Sequence, residues 1–566
     1  MQEKRWKIEE VDQQKVDELQ QELGINRTLC RLLILRQIDT FDKAKKFFRP
    51  GLNDLYDPLL MKDMDRAVAR ICTAIRKKEK ILIYGDYDVD GTTAVSTMLL
   101  YFRHFYPGVE YYIPDRYKEG YGISDEGIEF ATREHFDLVI ALDCGIRAVG
   151  PISRAAQKGV DFIVCDHHLP GDQLPQAVAI LDPKQPGCTY PFKELSGCGI
   201  GLKLVQALIK EWKQPEEWLL ELLDLAAISI AADIVPIIDE NRILAHFGLK
   251  KINKKPLPGI GQLIRSANLR PPLNISNIVF GIAPRINAAG RMSDARDAVR
   301  LLVGEKKVQN EEGARLLNKH NLERKDLDKM ITEDALRQIK EDTEYTFRKT
   351  TVVYSPDWHK GVVGIVASRL MEQHYRPTIV LTKSNEMIAG SARSVRNFNI
   401  YKALCECSDL LEKFGGHKYA AGMELRPENL EAFQKRFEEV VSERISDEDL
   451  LPSIAVEAEI RLEEITASFF KILRQFAPFG PSNPNPVFIS RRVKDIGYGR
   501  IVGDEHLKLS LTQGGQTMDA IAFRQHEKLP LIRKGKYIDI CYSLEENEFQ
   551  GMKSIQLNIK DIKPSE

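Results

Sequence analysis

Three short apolar runs in this chain each break off at an aspartate. Ile81-Leu82-Ile83-Tyr84 leads to Asp86, Leu138-Val139-Ile140-Ala141-Leu142 to Asp143, and Phe162-Ile163-Val164-Cys165 to Asp166. They read as strands. A helical pattern through Ala94, Val95, Met98, Leu99 and Phe102 follows the first run, and Val178-Ala179-Ile180-Leu181 adds another strand. Such alternation predicts an α/β fold: a largely parallel sheet with helices on both faces. Ligands of these sheets lie beyond the carboxyl ends of the strands, so the spacing predicts that the aspartates share one rim.

The acids come in four stretches: Asp86-Tyr87-Asp88-Val89-Asp90-Gly91, Asp143-Cys144-Gly145, Asp166-His167-His168 and Asp233-Ile234-Val235-Pro236. In an extended segment Asp86, Asp88 and Asp90 would share a face while Tyr87 and Val89 point away, with Gly91 turning the chain into the helix. Carboxylates buried together must protonate or bind cations. Divalent metal is the natural partner, and bridged metals point to phosphoryl chemistry. Taken singly, Asp143 or Asp233 could cap a helix or pair with arginine, and His167-His168 could be a satisfied core pair. A calcium loop would need a bidentate glutamate at its twelfth position, where Thr97 stands.

A chain of 566 residues suggests several domains. The formal net charge of −1 gives no global basic signature, so a nucleic-acid partner would need a local basic groove. No uncharged apolar stretch spans a bilayer, and Met1-Gln2-Glu3-Lys4-Arg5 lacks the apolar core of a signal peptide. Nine scattered cysteines form no disulfide or zinc framework, so a reducing cytoplasm is the expected setting.

Residues 1–50 read as a helical lead-in and 51–307 as the acidic α/β domain. Residues 308–345 read as a linking helix carrying Leu316, Leu317, Leu322, Leu327, Ile331 and Leu336 at near-helical spacing. A second α/β domain over 346–448 includes Val352-Val353-Tyr354 and Ile379-Val380-Leu381. Over 449–566 the period becomes two. Ile454 to Leu462 reads as one strand, and Gln513-Gly514-Gly515-Gln516 reads as a hairpin turn. Such strands fit a small β-barrel of the oligonucleotide/oligosaccharide-binding (OB) kind.

These motifs resemble those of the DHH phosphoesterase superfamily, and within it the bacterial single-strand-specific 5′→3′ exonucleases. The resemblance runs over nearly the whole chain. It includes 114–122, Ser196-Gly197-Cys198-Gly199, 284–291, 359–367, Gly390-Ser391-Ala392-Arg393-Ser394 and Gly415-Gly416-His417, the last marking a DHH-associated domain. Ala392 departs from the glycine expected there. The extra C-terminal domain of larger relatives is not expected.

The resemblance implies two ions, Mn²⁺ or Mg²⁺. Asp88 and Asp143, with Asp86 nearby, would hold one, and Asp90, Asp143, His167 and Asp233 the other. Asp143, His168 and Asp166 would be catalytic, His168 facing the scissile phosphate. Arg116, Tyr121, Arg285, Asn287, Arg291, Ser391, Arg393 and His417 would contact nucleic acid. Arg116, Ser391 and Arg393 would grip a 5′-phosphate, and Tyr121 would stack on a base. The activity implied is exonuclease digestion of single-stranded DNA in recombination and repair. The implied partners are that DNA, single-strand-binding protein and a RecQ-type helicase, with a monomeric enzyme and no membrane. A second reading is a small-substrate phosphoesterase acting on short oligonucleotides or nucleotide phosphates. A third is a catalytically dead scaffold, which should have lost metal ligands that this chain retains.

Overall fold

Residues 4–532 and 536–565 are described by the computed structural model. The chain divides between two units, residues 12–321 with 471–485, and residues 1–11, 322–470 and 486–566. Strand β1 (Arg5–Ile8) belongs to the second. Helices α1 (Gln13–Leu23), α2 (Arg27–Leu35) and α3 (Phe41–Phe48) belong to the first.

The first unit is built on β2 (Ile81–Gly85), β3 (Val109–Tyr112), β4 (Leu138–Leu142), β5 (Asp161–Cys165) and β6 (Ala179–Leu181). They form an all-parallel sheet in the order β3-β2-β4-β5-β6. Every residue of β2 and β4 is buried. Ile81, Ile83, Leu138 and Ile140 enter one core cluster, while Leu82, Tyr84, Val139 and Ala141 enter another. Alternate side chains therefore fill cores on both faces, which is why these strands read as unbroken apolar runs. Helices α4 (Val89–Arg103), α5 (Gly197–Trp212) and α6 (Leu223–Ala232) pack with one another, and α6 has no polar stripe because residues 223–231 are all buried. Helix α7 (Ala283–Met292) also belongs to this unit.

Helix α8 runs Lys307–Glu341. In the second unit its Ile331, Ala335 and Ile339 pack with Val353, Val366, Leu370 and Val380. The sheet there orders β10 (Lys413–Gly416), β11 (Ala420–Leu425), β9 (Met387–Arg393), β8 (Thr378–Ser384) and β7 (Thr351–Tyr354), with only β7 and β8 parallel. Helix α9 (Val363–His374) shares the Val380 core, and α10 (Leu430–Arg444) shares the core of Ile379 and Leu381.

The run expected as one strand over Ile454–Leu462 is two, β12 (Ser453–Val456) and β13 (Ala458–Glu459). β12 pairs with β1 and β13 with β14 (Phe488–Asp495). The alternation still holds, with Val456, Ala458, Ile460 and Leu462 all buried. Periodicity reports the buried face and not the pairing partner, so the change at Glu457 leaves no mark on it. Strands β15 (Arg500–Val502), β16 (His506–Gln513), β17 (Gln516–Ala522), β18 (Ile538–Phe549) and β19 (Met552–Pro564) complete the domain. The order β14-β18-β19-β17-β16, closed by a β14–β16 pairing, makes a five-stranded barrel of the small OB kind expected. The β16–β17 turn has Gly514 at φ 58° and Gly515 at φ 84°, left-handed at both central positions as this hairpin requires.

All nine cysteines are free thiols. Among the described residues no helix is long and apolar enough to cross a membrane.

Candidate metal centre and active site

Register sets the acids side by side. Gly85 pairs with Leu142 and Leu142 with Cys165, so Asp86, Asp143 and Asp166 leave neighbouring strands at one level. Asp143 turns away at once, with φ 61°. The first acidic stretch is not extended throughout as its spacing suggested. Asp88 is the N-cap of α4, accepting from the Gly91 N–H at 3.1 Å, and Asp90 lies in the first helical turn. The helix start folds back on the strand end so closely that a Cβ at Gly91 would lie 2.4 Å from the Asp86 carbonyl oxygen. Gly91 thus serves close backbone approach rather than an unusual φ.

Asp90 is held by three donors. Gly197 N–H donates at 2.7 Å, Cys198 N–H at 2.8 Å and the Ser229 hydroxyl at 2.6 Å. The first two come from the N-terminus of α5, where backbone N–H groups favour an anion. A Cβ on Gly197 would lie 2.6 Å from that of Asp143, so only glycine lets this helix end reach the cluster.

His167 Nε2 lies 3.1 Å from Asp143 Oδ1, 3.6 Å from Asp233 Oδ2 and 3.7 Å from Asp90 Oδ2. Two groups could each hold a cation: Asp90, His167 and Asp233, and Asp143, His167 and His168. The ligand atoms within each group lie within 4.8 Å of one another. Asp86 Oδ1, Asp143 Oδ1 and His167 Nε2 are buried without a hydrogen-bond partner. Burial and the neighbouring Asp90, Asp88 and Asp233 push the Asp143 carboxyl well above the carboxylate range. Burial and Asp88 do the same to Asp86, and burial with Asp90 and Asp88 raises Asp233 to about 9. Orphaned acceptors whose charges repel one another are what a bound divalent cation would resolve, so the donor set fits Mn²⁺ or Mg²⁺.

Asp166 spends its carboxylate differently. Oδ1 accepts from His167 N–H at 2.8 Å, from His168 N–H at 3.1 Å and from His168 Nδ1 at 2.7 Å, while Oδ2 accepts from Ile146 N–H at 2.9 Å. Burial alone would raise its pKa, but the His168 bond and charge bring it to about 2. Burial opposes charge on His168, yet the Asp166 bond raises it, while burial lowers His167. Asp166 therefore orients the His168 imidazole and ties down the backbone of both histidines. The Tyr121 hydroxyl donates to the Asp143 carbonyl at 3.2 Å and lies 3.2 Å from the His168 ring nitrogens.

Of the other expected residues, Arg116 stacks its guanidinium 4.8 Å from the Tyr87 ring centroid, beside the acidic loop. Helix α7 carries Arg285, Asn287 and Arg291. A Cβ on its Gly290 would lie 2.9 Å from the Tyr87 carbonyl oxygen, so this helix meets the same loop. Arg285 is engaged internally, Nε with Asn318 Oδ1 at 3.0 Å and Nη1 with the Gly281 carbonyl at 2.5 Å, while Asn287 is half-buried. The Arg291 carbonyl accepts from the Tyr117 hydroxyl at 2.6 Å.

Ser391, Arg393 and His417 lie in the second unit. Arg393 donates from Nη1 to Ser391 Oγ at 2.8 Å and from Nε to Ser368 Oγ at 3.1 Å. A Cβ on Gly364, at the start of α9, would lie 3.0 Å from Ser391 Oγ and 3.2 Å from Arg393 Nη2. Helix terminus, hydroxyls and guanidinium thus converge as an anion would require. Ala392 faces the other way, fully buried, so alanine in place of glycine leaves this face unchanged. His417 is exposed after Gly416 (φ 151°). Ser229 and Ser368 bear no motif in the sequence. A lone serine in an apolar helix carries no signal until its partner is known.

A parallel sheet whose carboxyl rim gathers aspartates around an Asp-His-His triplet defines a DHH-type phosphoesterase. Family models agree in chain order: the DHH family N-terminal domain matches residues 80–230, the DHHA1 domain 348–443 and the RecJ OB domain 456–561. The chain belongs to the RecJ family of single-stranded-DNA-specific exonucleases. It is 39% identical to the Bacillus subtilis (strain 168) RecJ over 99% of this chain and 71% of that protein. It is 33% identical to the Escherichia coli K12 RecJ over 88% and 90%. The crystal structure of Thermus thermophilus RecJ with Mn²⁺ matches at a TM-score of 0.85 with 26% identity, covering 99% of this chain and 80% of that one. A structure of the T. thermophilus protein with Mg²⁺ matches at 0.78 with 25% identity, covering 99% and 79%.

Proposed function

We propose that this protein is a metal-dependent exonuclease that degrades single-stranded DNA from the 5′ end in recombination and repair. The observation that carries the reading is the pair of buried, unpartnered atoms Asp143 Oδ1 and His167 Nε2, 3.1 Å apart at the sheet rim. In this reading Asp88 and Asp143, with Asp86 nearby, would hold one ion, and Asp90, Asp143, His167 and Asp233 would hold the other. Two such ions, when bound, supply an activated water and charge stabilisation for an in-line displacement at phosphorus. The chain's own groups do the rest. Asp166 fixes His168 through Nδ1, so Nε2, which also lies 3.2 Å from the Tyr121 hydroxyl, is the nitrogen that meets a phosphate oxygen. Tyr121 holds the His168 ring from the solvent side and offers its face to a base. Ser391 and Arg393 receive a terminal phosphate, and Arg116 supplies positive charge beside the acidic loop of its own unit. Arg285, Asn287, Arg291 and His417 are the remaining strand contacts in this proposal, Arg285 through the helix it braces.

The same reading assigns residues 51–307 to the DHH domain, 346–448 to the DHH-associated domain and 449–566 to strand binding, with 1–50 a helical lead-in and 308–345 the link. It includes a monomer in the cytoplasm, with single-strand-binding protein and a RecQ-type helicase as partners. The test is digestion of 5′- and 3′-labelled single strands and of blunt duplex, with Mn²⁺ or with chelator. Release of mononucleotides from the 5′ end of single strands, abolished by chelator, is expected. Cleavage confined to dinucleotides or nucleotide phosphates would replace this with the small-substrate reading.

A further inference from the structure

Ile234 occupies a backbone position that isoleucine avoids. Helix α6 ends at Ala232, Asp233 caps it, and Ile234 follows in the left-handed region at φ 60°. The residue after a helix cap that turns left-handed is usually glycine, because a Cβ is disfavoured there and β-branching worsens the clash. The loop is pinned on both sides. Asp233 N–H donates to the Ser229 carbonyl at 2.9 Å, Asn241 Nδ2 to the Pro236 carbonyl at 3.0 Å, and Ile237 N–H to the Pro481 carbonyl at 2.8 Å. Val235 takes the inward place in this loop, 7% exposed, and Ile234 is left 66% exposed.

The exposed side chain stands next to the metal centre, since Asp233 Oδ2 is 3.6 Å from His167 Nε2. The loop that follows His167 carries a second exposed aliphatic. Leu169 is 58% exposed, and its carbonyl accepts from Arg147 Nε at 2.8 Å. Single exposed aliphatics are ordinary on protein surfaces. Two on separately pinned loops beside one carboxylate–imidazole cluster, one of them in a conformation that costs stability, are not, and such strain concentrates where ligands are met. The chemistry also calls for them. A polyanionic strand approaching a cluster of carboxylates gains nothing from more negative charge, whereas an aliphatic surface can hold a base or sugar without charge.

We propose that Ile234, together with Leu169 on the loop that follows His168, is a substrate-contact residue that packs against the apolar face of the nucleotide whose phosphate reaches the metal centre. This rests on the nuclease reading above. The test compares Ile234→Asn, which tolerates a left-handed backbone but is polar, with Ile234→Leu, which keeps an apolar side chain. Melting is followed in chelator, Mn²⁺ affinity by calorimetry, and kcat and KM on a short oligothymidylate with Mn²⁺. Ile234→Asn should melt a few degrees higher, bind Mn²⁺ as the wild type does, and show KM raised roughly tenfold. Ile234→Leu should keep KM within about twofold. An unchanged KM in Ile234→Asn, or equal losses in both variants, overturns the proposal. A wild-type protein that cleaves no strand overturns the nuclease reading instead.

Discussion

Asp143 concentrates the chemistry of the centre in one side chain. It sits between the other acids, its Oδ1 has no hydrogen-bond partner, and four carboxylates raise its pKa beyond what burial does. Asp143→Ala should abolish Mn²⁺ binding and turnover while raising the melting temperature of the metal-free protein, because it removes a buried carboxyl that must take up a proton on folding. Near-normal nuclease rate in a folded Asp143→Ala protein would refute the two-ion assignment. The two histidines should separate. His168→Ala should lower kcat by about 100-fold or more with Mn²⁺ affinity retained, and His167→Ala should weaken Mn²⁺ binding; calorimetric titration of both variants checks this, and the reverse pattern would exchange their roles. pH supplies another test. Asp233 is raised to about 9 from the ordinary carboxylate range near 4, so the metal-free folded chain holds a proton that the unfolded chain releases. The unfolded state then binds fewer protons, and metal-free stability should fall as pH rises through that window. Mn²⁺ displaces the proton, so the rise in melting temperature that it gives should grow with pH; thermal scans from pH 6 to 9 with and without Mn²⁺ read both, and parallel curves would contradict it. At this scale the sequence showed which side chains gather, because strand ends and acids are local. It did not show which are spent on neighbours. The duty of Asp166 toward His167, His168 and Ile146, and that of Arg285 toward Asn318 and Gly281, depend on partners set by the fold.

At the scale of elements, the rim of the parallel sheet was legible because strands buried on both faces leave unbroken apolar runs. The turn from Asp86 to Asp90 departs from the extended form its spacing predicts, since alternation of acids looks the same whether the chain continues as a strand or begins a helix. The β12–β13 break was invisible for the related reason that period two records faces and not pairing. The face made by β9 and α9 carries a prediction of its own. Ser391 and Arg393 share one side of β9, Ser368 lies on α9, and Gly364 brings the helix terminus against them. A fixed guanidinium beside helix N–H groups favours a dianionic terminal phosphate over a bridging diester. Arg393→Ala should therefore reduce the ratio of kcat/KM for 5′-phosphorylated over 5′-hydroxyl strands, with Mn²⁺ affinity intact. An unchanged ratio, or an equal loss on both ends, would make Arg393 a general backbone contact.

Over the whole molecule, a net charge of −1 leaves no long-range pull on DNA, so strand affinity must come from local contacts. The barrel is the place to look for them, since small closed barrels present loops and an open strand face to single-stranded nucleic acid. Its surroundings include the start of the chain. β1 pairs with β12, Trp6 Nε1 donates to Asp561 Oδ2 at 2.7 Å, and Lys563 lies 5.1 Å over the Trp6 ring. Removal of residues 451–566 therefore strips β1 of its partner along with the barrel. The residues that line the metal centre belong to the other unit and keep their own two-faced core, although the deletion also takes residues 471–485 from that unit, including the Pro481 carbonyl that accepts from Ile237 N–H. The truncated protein should still cleave very short oligonucleotides but lose affinity for long strands. Phosphate contacts act through counterion release, so the slope of log affinity against log salt should also become shallower by about one phosphate contact's worth for each lost cation. The measurement is affinity for a length series of oligothymidylates at several salt concentrations, paired with cleavage rates. Equal loss at every length with an unchanged salt slope would mean that residues 451–566 support the folding of the rest and do not hold the strand.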